Sequence, residues 1–261
     1  MKILFLPTVT IAALCLGSLL AAEPAAPTPP AMSAEELAQK INAASEGSAR
    51  IRTQMEVRLT EGNRRVMQLQ IKSRRTKTAI DLAYRIFWPN DRRDEVVILH
   101  QDAGSAPRGS IVIPHQPVRA LEPAQMNEAL FDSDLSYQDA VENVYAWKKQ
   151  AIVGSESVRG TACQILESKP DSSSDSIYAR VRSWIDPVRL VPLRLEKYSS
   201  SGELVRRIDI TRLSRNENRT IPATIVVHGP RKNTVTEFNG AQIDQDVTFS
   251  DADFTAANAL H

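Results

Sequence analysis

Four carboxylates crowd one short stretch of the chain: Asp132, Asp134, Asp139 and Glu142. Such a cluster could hold a hard cation, which takes oxygen ligands. A simpler use is available. Ser136 and Asp139 stand three residues apart, as the halves of a capping box do, and acids favour the positive end of a helix dipole. Capping is therefore the preferred reading. The four histidines, His100, His115, His228 and His261, are scattered without the paired spacing of a zinc site, and surface or loop positions account for them. The sequence has no G-x-S-x-G elbow, phosphate loop or G-x-G-x-x-G turn. Triads assemble in space, so a missing motif does not exclude catalysis, but no local grouping of Ser, His and acid nominates one. The expectation is a protein that is not an enzyme, with no metal and no cofactor.

Cys163 sets a second constraint. Met1-Lys2 followed by the apolar run Ile3 to Leu20 and Ala21-Ala22 reads as a secretory signal peptide, residues 1–22, and so as export to the periplasm. Cys15 would leave with it, so Cys163 would stand alone in the exported chain and no internal disulfide could form. Its alternation with Thr161 and Ile165 marks it as a small buried hydrophobe in a strand. The 32 Lys and Arg nearly cancel the 31 Asp and Glu, and aromatic residues are only 5% of the chain. Neither an electrostatic field nor stacking rings point to nucleic acid as a partner.

The elements that would position these residues follow from periodicity. Residues 23–32 form a Pro/Ala-rich tether, within which PAAPTPP cannot pack. Ser33 and Glu36 open a helix carrying Leu37, Ile41 and Ala44 on one face and ending near Gly47. Met55, Val57 and Leu59 then alternate with polar residues, as do Met67, Leu69 and Ile71, followed by Ile80 to Ile86. Period-two alternation marks strands with one buried face. The middle of the chain is less regular, with strands at 95–100 and 109–113 and prolines in the loops between. A second helix is expected from Leu135 to about Trp147. Strands resume at 151–153 and 162–167 and lead into a meander over 177–213. There Asp186-Pro187 and the Ser-rich turn ending at Gly202 separate three runs. In its second run Val191, Leu193 and Leu195 fall on one face, with Arg194 and Glu196 on the other. Runs at 221–227, 234–238 and 247–249 close the sheet, and residues 256–261 read as a frayed tail. A single domain over 33–255, mainly β, is expected.

The order of several blocks resembles a known family. YRIFWPNDRRDEVVI at 84–98 is followed by IVIPHQPVRAL at 111–121, FDSDLSYQDA at 131–140, and RSWIDPVRLVPLRLEKYSSSGELVRR from Arg182. This succession resembles the outer-membrane lipoprotein-sorting proteins, LolA-like periplasmic carriers, over roughly residues 80–215. Its most specific parts are Ser133, Asp134, Tyr137 and Asp139, and Trp184 and Asp186 with Pro192 and Gly202 downstream. The chain departs from the family at Asp132, where a glycine usually precedes the Ser-Asp pair, and at Asp94-Glu95, where a Gly-Thr pair is common.

The resemblance implies a strongly curved antiparallel sheet, an unclosed half-barrel, with two or more helices lidding the concave face. It also implies a cavity for acyl chains of a lipid or lipoprotein, carried toward the outer membrane, with a transporter of the resistance-nodulation-division (RND) superfamily as a partner. The protein is expected to act as a monomer. On that reading Met55, Val57, Leu59, Met67, Leu69, Ile71, Leu193 and Leu195 are the cavity candidates, although alternation alone fits ordinary core equally well. The alternative is an envelope-stress sensor or scaffold that binds lipid and a regulatory protein without catalysis. The compartment has its own test: the exported protein should begin near residue 22 or 23. An intact mass that retains residues 1–20, or carries an added diacylglycerol, would contradict the leader reading.

Overall fold

The computed structural model describes residues 32–59, 62–171, 176–216, 219–231 and 233–258. The expected leader, nearly all of the tether and His261 lie outside these residues. The first helix, α1 (Ala34–Ala44), begins where the Ser33 hydroxyl accepts the Glu36 backbone N–H at 3.1 Å, and it buries Leu37, Ala38 and Ile41.

From there the chain is almost entirely strand. The strands are β1 (Gly47–Leu59), β2 (Arg64–Arg75), β3 (Ala79–Trp88), β4 (Val96–Asp102), β5 (Arg108–Val112) and β6 (Arg119–Ala120). After the crossing segment come β7 (Lys149–Val158), β8 (Thr161–Lys169), β9 (Arg180–Asp186), β10 (Val191–Tyr198), β11 (Leu204–Asn216), β12 (Arg219–His228) and β13 (Thr234–Gln245). Among the described residues all belong to one 13-stranded sheet in the order β6-β5-β4-β3-β2-β1-β13-β12-β11-β10-β9-β8-β7. Two meanders run through it. The first walks outward from the centre at β1 to the edge at β6. The second starts at the opposite edge, β7, and returns to the centre at β13, where β1 and β13 pair antiparallel. β6 and β7 stand at opposite ends of the order, so the sheet is not closed into a barrel.

The chain between β6 and β7 therefore has to cross the sheet, and it carries α2 (Tyr137–Val141) on its way. Register shifts in half of the strand pairs, among them β1–β13, β9–β10 and β7–β8, insert bulges. Bulges bend a strand and strengthen its twist, which is how a long sheet curls toward the segment that crosses it.

The face beneath α1 and the crossing segment, here the inner face, holds the largest apolar cluster. Met55, Val57, Met67 and Leu69 pack there with Leu130, Phe131, Tyr137 and Val141 of the crossing segment. Under α1, Leu37, Ala38 and Ile41 meet Leu166 and Ile185. The outer face has its own packing. Ala83, Val96, Ile98 and Val112 are covered by Phe254 and Ala256, and Cys163 is buried with Val158, Trp184, Val191 and Leu193.

Four sequence expectations change. The second helix does not run from Leu135 to Trp147: α2 is a single short turn, and Val144–Ala146 is a separate 3-10 turn. The break has a tertiary cause. The Asn143 backbone N–H donates to the Gln101 side chain, and its Nδ2 donates to Asn42 of α1 at 2.7 Å, so the helix gives way to contacts with its neighbours. Residues 247–249 are not a strand; they lead into a 3-10 turn at Asp251–Phe254. The tail is not simply frayed up to Asn258, because Ala256 packs on the outer face. Finally, His100 lies within β4, its ring between Asp81 (2.6 Å) and Asp102 (3.0 Å).

The two departures from the family pattern share one backbone feature. Asp94 has φ 66 and Asp132 has φ 60, both in the left-handed region that glycine enters without steric cost. Aspartate tolerates it better than most residues, and each carboxylate here meets an arginine: Asp94 meets Arg85 at 2.7 Å, and Asp132 meets Arg92 at 3.2 Å and Arg65 at 3.3 Å. Asp94→Ala should accordingly lose about 1–2 kcal/mol, while Asp94→Gly should stay within about 0.5 kcal/mol of the parent. Denaturant melts of the two variants test this, and equal losses would contradict it.

Candidate functional site

The crossing segment is fixed to the sheet by a knot of buried charge. Ser136 and Asp139 form a capping box at the start of α2, as their spacing predicts. Asp139 also points into the sheet, with its side chain 0% exposed. Lys197 Nζ donates to Asp139 Oδ1 at 2.8 Å, the Tyr178 hydroxyl donates to the same oxygen at 2.9 Å, and the Arg206 guanidinium pairs with Oδ2. Lys197 and Arg206 face each other across β10 and β11. Glu142 adds a longer contact to Lys197 at 3.4 Å.

Burial alone would raise Asp139, but Lys197 and Arg206 outweigh it and hold the carboxyl down at about 2. The same competition runs the other way for Lys197. Burial would lower it, yet Asp139 and Glu142 keep it above the usual lysine range. Asp134 has a different set of partners: Thr234 and Thr236 hydroxyls donate to its oxygens, and Arg231 lies 3.5 Å away. The clustered carboxylates thus bind the chain to itself through cations and hydroxyls.

Beyond this knot the crossing segment no longer fills the trough. A hollow of about 940 Å³ remains between α1, the crossing segment and the inner face. Its walls come from both meanders: Ile71 and Tyr84 on one side, Phe238 near the centre, Ile208 and Leu195 on the other. Burial pushes the Tyr84 phenol up to about 12. It does the same for Tyr145, only partly offset by the hydrogen bond between its oxygen and the Ser183 hydroxyl at 3.2 Å.

The eight cavity candidates separate along the strands. Met55, Val57, Met67 and Leu69 are core under the crossing segment. Ile71, farther along β2, and Leu195 line the hollow. Leu59 is half-buried at the end of β1, opposite Thr234 and away from the hollow. Leu193 is on the outer face with Cys163 and Trp184, because the β9–β10 register slips between Pro192 and Arg194. That bulge puts Leu193 and Leu195 on opposite faces, against the expectation that they share one. Sequence reasoning missed Tyr84 as a lining residue as well as Phe238 and Ile208. The same alternation carries all three, but nothing in it says where the lid stops.

Comparison with known proteins bears on the family and the fold. A family model described as "Uncharacterized protein" matches residues 114–259, more than half of the chain. The chain belongs to that family. Its fold is LolA-like. It is similar to a DUF1329 family protein from Desulfovibrio piger (TM-score 0.79, 20% identity, covering 87% of this chain and 98% of that one). It is similar to a domain from Vibrio parahaemolyticus named for outer membrane lipoprotein sorting (0.78, 18%, 87% and 97%). A LolA superfamily protein from Nitrosomonas europaea shares the fold as well (0.69, 16%, 86% and 98%). No curated protein matches the chain.

In this LolA-like fold the residues that carried the resemblance mostly shape the backbone. Ser133 accepts the Leu135 backbone N–H at 3.1 Å, and Tyr137 packs into the main core. Trp184 donates from Nε1 to Glu156 at 2.8 Å beneath the Arg194 guanidinium. Asp186 accepts the backbone N–H groups of Val188 and Arg189 and so closes the β9–β10 turn. Gly202 takes φ 84 in the next turn, a left-handed position suited to glycine. Of this set, Pro192 and Asp139 line the hollow.

Asp139 is the residue whose loss should be felt most. Asp139→Asn leaves Lys197 and Arg206 short of their shared counter-ion, and a broken buried pair costs about 3–5 kcal/mol. The pH dependence has a defined sign. A carboxyl depressed to about 2 contributes its full stability above the ordinary aspartate range, and loses it as pH falls through about 2. Acid melts should therefore show a steeper loss for the parent than for Asp139→Asn. A variant within about 0.5 kcal/mol of the parent at neutral pH would show that the knot is not needed.

Proposed function

We propose that this protein is a periplasmic carrier that holds an acyl chain of a lipid or lipoprotein in the hollow, for transfer toward the outer membrane. The observation that carries the reading is the hollow itself: about 940 Å³, walled largely by aliphatic side chains and roofed by helices on a sheet of LolA-like fold. That volume lies toward the upper end of the range for small-molecule sites. Burying alkyl chain contributes about 0.8 kcal/mol per methylene, so one long chain gains on the order of 10 kcal/mol over water. A ligand of that kind crosses an aqueous space only inside a carrier. It also leaves only toward a competing apolar surface, which fits an RND-superfamily transporter or an acceptor membrane as the partner. The leader-like N-terminus and the lipoprotein-sorting name of a structural neighbour support the compartment. Catalysis has no part in the reading; the protein acts as a single chain by binding and release.

Paired substitutions test it. Ile71→Glu and Leu195→Glu place a carboxylate where water can reach it, so each should abolish uptake of a fluorescent alkyl probe with a small change in melting. Leu69→Glu places the same charge in closed core and should lose several kcal/mol. A parent protein that takes up no alkyl probe, and whose extract holds no lipid, would end the carrier reading.

A further inference from the structure

Among the described residues, Arg75 is a charge on the hollow without an ion pair. Lys197 is held by Asp139 and Glu142, and Arg189 pairs with Asp186 at 3.3 Å. Arg75 is different: among the described residues its guanidinium makes no hydrogen bond and no ion pair. It is the last residue of β2. Ile71, Ser73 and Arg75 alternate on the inner face and all three line the hollow. On the neighbouring strand Tyr84 stands opposite Ile71 and Leu82 opposite Ser73. The Tyr84 hydroxyl likewise has no hydrogen-bond partner among the described residues. Glu46 also lines the hollow.

Burial lowers Arg75 from its ordinary value, with Tyr84 opposing that shift. An arginine nonetheless stays protonated in a protein, so the wall carries a half-buried cation without a counter-ion among the described residues. Desolvating a charge is costly unless it is paired. A guanidinium is well shaped for a carboxylate or a phosphate, which it can grip with two parallel hydrogen bonds. A free phosphate would leave most of a hollow of about 940 Å³ unfilled, whereas an alkyl chain would occupy the apolar part beside Ile71 and Leu82.

We propose that Arg75, with Ser73 and Tyr84 beside it, receives the oxyanion of an amphiphile, a carboxylate or a phosphate, whose alkyl chain fills the hollow. This rests on the carrier reading and narrows it to anionic head groups.

The test uses probes of one chain length and different heads: an alkyl carboxylate, an alkyl phosphate, an alcohol and a trimethylammonium. Inorganic phosphate without a chain serves as the competitor. The parent should bind both anionic amphiphiles about tenfold or more tighter than the alcohol or the cation. Arg75→Gln should bring the anions down to the level of the alcohol and leave the alcohol unchanged. Arg75→Lys should keep part of the preference, and Tyr84→Phe should weaken it. The head-group comparison within the parent needs no variant, so a variant that fails to fold does not remove the test. A parent that binds the alcohol as tightly as the anions overturns the head-group inference and leaves the carrier reading standing. So does a preference that survives in Arg75→Gln. A parent that binds none of the amphiphiles overturns both. Inorganic phosphate bound through Arg75 as tightly as the anionic amphiphiles would assign the site to the free anion and overturn the amphiphile.

Discussion

The fold depends on how a single crossing segment is held against a sheet that it only half covers. The strand order forces the crossing, since β6 and β7 end at opposite edges and the chain must pass from one to the other. Asp139 is where the crossing is pinned. Its carboxylate meets Lys197 and Arg206 from adjacent strands, so α2 is tied to β10 and β11 at one point. Such a pair gains little over an apolar replacement, because desolvation offsets most of the attraction. Its value is positional. An apolar contact would let the short helix slide along the trough, whereas paired charges allow one register.

That register decides where the core ends and the hollow begins. On one side of α2, Phe131 and Tyr137 press onto Met67 and Leu69, and the trough is closed. Farther along the same strand Ile71, Ser73 and Arg75 face the hollow. The change from core to lining thus takes place within one strand, without any change in its pattern.

This explains which features were legible in the sequence. Alternation at 51–59 and 67–71 marks the inner face directly, and the Ser136–Asp139 spacing marks the start of α2, because both are local. The end of α2 was not legible. Asn143 leaves the helix for Gln101 and Asn42, neither of which is near it in sequence. The same holds for Leu193, whose side is set by a bulge that pairing with β9 creates. Alternation from Val191 to Leu195 gives no hint of it. The extent of the lid was equally hidden, so eight candidates with one pattern divide among core, hollow, strand end and outer face. Arg75 continues the inner stripe of β2, but nothing in the sequence singles it out. Its lack of a partner among the described residues is a property of the folded neighbourhood alone.

A sheet that leaves part of its inner face open must be stabilised elsewhere, and the outer face shows how. Cross-strand pairs such as Arg182–Glu167 and Arg194–Asp209 run along it, but partly exposed pairs contribute little each. Two apolar clusters do more. Phe254 and Ala256 cover Ala83, Val96, Ile98 and Val112, so the chain after β13 acts as a lid on the opposite side from α2. The Trp184–Cys163–Leu193 cluster packs the outside of the second meander, and the bulge at Leu193 supplies one of its members. Turning that leucine outward removes an aliphatic group from the hollow side and adds it to the outer core. The irregularity that defeats the sequence pattern therefore serves both faces: it leaves room within and adds packing without.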